Sequence, residues 1–124
     1  MDLCDEKRRV ALTIIREIEG GGQPEGWRRF KSTYREMDAF YNLKLGWVVK
    51  KSKLILDFRT PLHLRVPTFK LEDEWVLQPL VKKINLKLAV ETIRAELKNY
   101  PRIKPDLHVG NVGWYENKPL MFDW

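Results

Sequence analysis

The chain has 124 residues, 44% of them apolar and 32% charged, which suits one folded domain and excludes a disordered polar chain. Its formal net charge of +6 favours nucleic acid, nucleotide phosphates or an acidic partner, although the basic residues come in scattered pairs such as Arg28-Arg29, Lys50-Lys51 and Lys82-Lys83 rather than in one run. Cys4 is the single cysteine, which excludes an intrachain disulfide and a cysteine-based zinc site, and its acidic neighbours Asp2, Asp5 and Glu6 disfavour a thiolate. The sequence has neither the apolar segment of a secretory signal nor a run long enough to span a bilayer, so the expectation is a cytoplasmic protein that makes no membrane contact.

Residues 5 to 19 read as an amphipathic helix. Asp5 or Asp2 caps its start, Val10, Ile14 and Ile18 recur every four positions, and Ala11 and Ile15 widen the stripe. Gly20 to Gly26 ends that helix as a connection. It is not a phosphate loop, because it follows a helix and no Gly-Lys-Ser/Thr closes it. Trp27, Phe30, Tyr34 and Met37 then fall three, four and three apart, which predicts a second helix from about Gly26 to Ala39. Its interleaved arginines admit a nucleic-acid or partner surface as well as a plain solvated face.

From Phe40 the period shortens. Phe40 to Leu45, Gly46 to Lys50 and Lys53 to Phe58 read as strands, with a turn at Lys51-Ser52. Val66 to Leu71 and Trp75 to Val81 follow as two more, joined by the acidic turn Glu72-Asp73-Glu74. Asn85 to about Tyr100 is a long helix with Asn85 as cap, the stripe Leu86, Ala89, Val90, Ile93 and Leu97, and Pro101 as stop. The reading is therefore an α+β fold: N-terminal helices over residues 1–39, a small antiparallel sheet, one long helix and a C-terminal β-hairpin.

That hairpin, Val112 to Tyr115 and Leu120 to Phe122 around Glu116-Asn117-Lys118, carries the chemistry. Asp106 and Asn111 are five positions apart and Asn111 and Asp123 twelve. Closure of the hairpin brings Asn111 and Asp123 together at its open end, two hard oxygen donors suited to Mg2+, with Asp106 on the adjoining loop as a proton acceptor. The competing reading is an ordinary hairpin whose acidic groups face solvent.

The run Asp106-Leu107-His108-Val109-Gly110-Asn111, followed by an apolar strand ending Phe122-Asp123-Trp124, resembles the catalytic loop and metal strand of the protein-kinase-like superfamily. Its flavour is that of aminoglycoside and other small-molecule phosphotransferases. The resemblance implies ATP and Mg2+ as cofactors, Asp106 as the group that orients or deprotonates an acceptor hydroxyl, His108 as a loop-ordering partner in the catalytic segment, and Asn111 and Asp123 as metal ligands. It also implies that Lys50, in Trp47-Val48-Val49-Lys50, contacts the α and β phosphates, and that backbone groups from Gln78 to Leu80 meet the adenine edge. Without the resemblance, Lys50 reads as a charge guarding a strand edge, and the strand pair as a plain hairpin.

Three departures weigh on activity: Lys104 stands two before Asp106 where the family usually has histidine, with Pro105 next; the glycine loop of a kinase is missing; and the chain stops one residue after Asp123. Separately, no glutamate lies between Lys50 and Leu71 to pair with Lys50. Glu17 or Glu36 remains as a substitute partner for Lys50. The sequence therefore points to a truncated kinase-like protein, phage-like or otherwise, that binds nucleotide and Mg2+, turns over weakly or not at all, and acts through a protein partner. The alternatives are an active phosphotransferase completed by homo-oligomerisation, or a small basic module that binds nucleic acid or protein.

Overall fold

The computed structural model describes residues 4–31, 36–51, 60–72, 74–103 and 107–122, with residues 31, 36 and 37 described by their backbone alone. The chain divides into two compact units, one of residues 1–54 and 68–80, the other of residues 55–67 and 81–124. Both mix helix with antiparallel strands, as an α+β sequence should. Among the described residues no helix is long and apolar enough to cross a membrane.

In the first unit, α1 spans Asp5–Glu19, with Cys4 at its cap position and no side-chain capping bond; Asp5 and Glu6 instead sit in the first turn, where they oppose the helix dipole. The buried line is Ala11 and Ile15, flanked by half-buried Leu12, Ile14 and Ile18, while Val10 is exposed. The apolar stripe is thus rotated slightly from its four-residue series. The helix ends where the Gly22 N–H reaches back to the Glu17 carbonyl and Gly21 takes φ +85°, a conformation that favours glycine.

The predicted helix over 26–39 is not formed. The segment holds strands β1 (Arg28–Lys31) and β2 (Glu36–Asn42) instead. Trp, Phe, Tyr and Thr lose rotamer freedom in a helix and fit a pleated surface, and strand partners supply the ladder that tips the balance. Arg28 pairs with Tyr41 and Arg29 with Phe40; the Phe30 and Tyr41 rings lie 4.6 Å apart, and the Arg29 guanidinium lies over Phe40. Trp27 leaves the series altogether and is buried with α1.

β2 stops at Asn42, short of the predicted Leu45, because Asn42 builds the turn. Its Oδ1 accepts the Leu45 N–H, its carbonyl accepts the Gly46 N–H, and Gly46 has φ +72°. β3 (Trp47–Lys51) returns antiparallel to β2. The strand predicted over Lys53 to Phe58, and Ser52 of the predicted turn, lie outside the described residues. β4 is only Phe69–Lys70, and β5 is Trp75–Pro79. The predicted strand Val66 to Leu71 is split at Pro67, since the Val66 N–H is taken by the Met121 carbonyl in the second unit. The sheet order is β1-β2-β3-β5-β4. Strand alternation puts Phe40, Val49, Leu77 and Phe69 on the face that packs with α1, and Lys50, Val48, Val76 and Gln78 on the opposite face.

The second unit holds the 3-10 turn Leu62–Leu64, α2 (Leu86–Leu97), and the hairpin β6 (Val112–Tyr115) and β7 (Lys118–Met121). Ala89, Val90 and Ile93 of α2 bury against Leu64, Val112 and Met121, with Leu86, Leu97, Leu107 and Trp114 packed around them. Asn85 takes the cap position at φ +46°, but its contribution is a carbonyl that accepts the Ala89 N–H; its side chain makes no capping bond. The last turn tightens, Tyr100 N–H to Leu97 carbonyl, before Pro101 ends it.

Candidate functional site

The segment before the hairpin is a short 3-10 turn, Val109–Asn111, locked by a reciprocal cap. The His108 Nδ1 accepts the Gly110 N–H at 2.9 Å, and the Asn111 Oδ1 accepts the His108 N–H at 3.1 Å. His108 therefore orders this turn. A Cβ at Gly110 would stand 2.7 Å from His108 Cε1, so a side chain there would displace the imidazole that caps the turn. Asn111 is 5% exposed. Its carbonyl accepts the Phe122 N–H at 3.0 Å, which extends the register Val112↔Met121 by one step and closes the hairpin's open end. At the other end Glu116 and Asn117 both have positive φ, 51° and 64°, a mirror-image two-residue turn that matches strand twist. Asp106 and Asp123 lie outside the described residues.

Among the described residues, Tyr115 beside the turn has a shifted acidity. Partial burial raises its phenol above the ordinary 10.0, and the charge of Glu116 and a hydrogen bond with it add to the rise. This residue is not part of the candidate loop, but it reports on the far end of the hairpin that carries it.

In the first unit, Lys50 sits on β3 opposite Val76, and Val48 opposite Gln78, so Lys50 and Gln78 share one face of adjacent strands. Glu17 belongs to α1, which packs on the other face, and so is not the partner of Lys50; the side chain of Glu36 lies outside the description. Gln78 is 2% exposed, and its Nε2 donates to Thr68 Oγ1 at 2.6 Å. The Leu80 N–H donates to the Gly46 carbonyl at 2.8 Å, so this donor is engaged within the sheet rather than turned toward an adenine edge. Pro79 has no N–H to offer.

Mg2+ takes hard oxygens, one or two from the protein and the rest from phosphate and water. The amide oxygen of Asn111 is of that kind, but it already accepts the His108 N–H, which leaves one lone pair for a cation, and the residue is 5% exposed; among the described residues no cluster of three or more His, Cys, Asp or Glu stands ready to hold a metal unaided. One further charged residue meets this end of the hairpin. The Lys83 ammonium donates to the Val112 carbonyl at 3.3 Å and lies 3.9 Å from the Phe122 ring centre. In the sequence Lys83 is one of several basic pairs, and no local pattern joins it to residues some thirty positions onward; only the bridge between Lys82 and Trp114 brings it there.

Compared with family models, curated proteins and solved structures, the chain matches none.

Proposed function

We propose that this is a kinase-like protein that binds a nucleoside triphosphate with Mg2+ and acts mainly by binding. The observation that supports the reading is the backbone bond from the Phe122 N–H to the carbonyl of Asn111, the last residue of the run Asp106-Leu107-His108-Val109-Gly110-Asn111. It holds the Asn111 backbone beside Phe122 at the open end of the hairpin. Asn111 and Asp123 hold the metal, which when bound neutralises charge on the phosphates. Asp106 accepts the proton of an acceptor hydroxyl in whatever turnover occurs, and His108 keeps the loop in shape.

Weak turnover is supported by the lack of a glycine-rich phosphate loop in the sequence and by Glu17 lying across the sheet from Lys50. Exposed apolar side chains such as Leu43 and Leu45 support action through a protein partner.

Thermal unfolding with and without Mg-ATP tests the proposal. Binding to the folded state raises the midpoint in proportion to the logarithm of ligand over Kd. A rise that is abolished in Asp123→Ala is expected, and no rise at millimolar nucleotide refutes it. ATP hydrolysis lost in Asp106→Ala would instead establish an active enzyme.

A further inference from the structure

The core-facing line of α1 runs through Ile18, Ile15, Ile14 and Ala11, and the same spacing continues it to Lys7 and Cys4. Branched apolar side chains thus give way to alanine, lysine and cysteine toward the start of the helix. At that end the first unit holds a cavity of about 310 Å³. Buried Ala11, Trp27 and Leu77 line it together with half-buried Trp47, and the exposed apolar side chains of Val10 and Leu45 complete its wall. Small-molecule sites have volumes from about 300 Å³ upward and walls that are mostly apolar with a few polar groups. Apolar surface gathered around a concavity is coverable by one small ligand, unlike single apolar residues scattered over a convex face.

Two charged groups share the cavity, Glu6 and Lys7. The Lys7 ammonium lies 4.9 Å from the Trp47 ring centre. That contact favours the charge over the aromatic face, and it leaves N–H donors for an oxygen. A carboxylate on an apolar body meets the ammonium while its hydrocarbon part covers the indoles. Glu6 sets a limit in the other direction, because its own carboxylate repels additional negative charge and so disfavours a polyanion such as a nucleoside triphosphate.

We infer that this cavity is a binding site for a small apolar monocarboxylate, an aromatic or short aliphatic acid whose hydrocarbon part lies among Trp27, Trp47 and Leu77 and whose carboxylate pairs with Lys7. The lining residues belong to the first unit alone and include none of the turn from His108 to Asn111, so the assignment stands apart from the nucleotide reading.

The test follows the backbone and indole N–H signals of the full chain by NMR during titration with naphthoate, and with its uncharged amide, naphthamide, as the control. Naphthoate should shift the Trp27 and Trp47 indole signals and the Lys7 and Val10 amides saturably. It should bind about fivefold or more tightly than naphthamide, as a hydrogen bond to a charged group requires. Lys7→Met should lower the affinity for naphthoate to that for naphthamide and leave naphthamide within about twofold of wild type. Lys7→Arg, which keeps the charge, should retain the preference for the acid. Ala11→Leu places a larger side chain in the cavity and should weaken both probes. Unfolding curves verify that the variants fold; if Ala11→Leu does not, a benzyl group joined by a disulfide to Cys4, the single cysteine and a lining residue, blocks the cavity instead. Equal affinity for the two probes, or an effect of Lys7→Met on naphthoate below about twofold, overturns the carboxylate assignment. No saturable shift at Trp27 and Trp47 with millimolar naphthoate overturns the site itself.

Discussion

The indole Nε1 of Trp75 donates to the Glu19 carboxylate at 2.7 Å, joining the last residue of α1 to the first residue of β5 across 56 positions of chain. Trp75 is buried, so its N–H needs this partner. Glu19→Ala should destabilise the first unit by about 1–2 kcal/mol, the cost of leaving a buried donor without its acceptor. Trp75→Phe should cost more, through lost packing, but the double variant should cost less than the sum. A urea-denaturation cycle over the four proteins measures the difference; strict additivity would mean that the bond contributes nothing.

Gly113 is closed to any side chain. A Cβ there would overlap Val81 Cγ2 and stand 3.3 Å from the Lys82 carbonyl. Gly113→Ala should destabilise the second unit by about 1–3 kcal/mol, the usual cost of overpacking. Val81→Ala in the same chain should recover part of it, because the main clash is with the valine side chain. Chemical unfolding monitored by tryptophan fluorescence decides this, and the lack of any recovery would place the damage in the backbone near Lys82.

Asn111 has two proposed duties that substitutions can separate. Asn111→Ala removes the acceptor for the His108 N–H and should cost about 1 kcal/mol or more, as lost caps do. Asn111→Asp keeps an oxygen in the same place and adds a charge, so it should retain the loop and still take Mg-ATP. If Asn111→Asp folds like wild type but loses nucleotide binding, the amide is not a metal ligand. Amide exchange at Gly110 and His108, read by NMR, reports the loop independently.

The Tyr115 phenol has a raised pKa in the folded chain, so the folded state holds its proton after the unfolded state has released it. The associated stability is complete below pH about 10 and is lost as pH rises through the folded value. Tyr115→Phe should flatten this alkaline loss. Glu116→Asn should remove the contribution of the glutamate to the shift and also relax the turn, since a glutamate at φ 51° is less at ease there than an asparagine. A gain of roughly 0.5 kcal/mol at neutral pH is expected from the turn alone. Ultraviolet titration of the phenol, beside thermal melts at pH 8 to 11, measures both effects.

Elements with one dominant local signal were legible. The apolar series of α1 and α2, the glycine run after Glu19 and the Glu116-Asn117 turn between apolar strands each settle their structure within a few residues. The segment from Trp27 to Ala39 was not legible, because its aromatic spacing satisfies a helix while its composition satisfies a strand. The choice lies with β3, which pairs with β2 from Trp47 onward. The pairing of Val66 with Met121, a partner far along the chain, was not legible either.

At the candidate site, the His108 and Asn111 cap follows from their spacing, since a side chain three positions on can reach back to a turn's first N–H. The separation of Glu17 from Lys50 required knowing which sheet face α1 covers, and the place of Lys83 required the Lys82 and Trp114 bridge. Both are tertiary facts that no window of sequence contains.

The first unit is interrupted in sequence: residues 55–67, which belong to the second, fall between its pieces. On the ribosome, β3 therefore emerges well before β5, its neighbour in the finished sheet, and the Val66 N–H waits for Met121 almost until translation reaches the hairpin. Neither half of the molecule corresponds to a contiguous gene segment. Its evolution by fusion or exchange of whole pieces is constrained accordingly, and a single nick between residues 54 and 68 would leave the first unit assembled from two fragments rather than release either one.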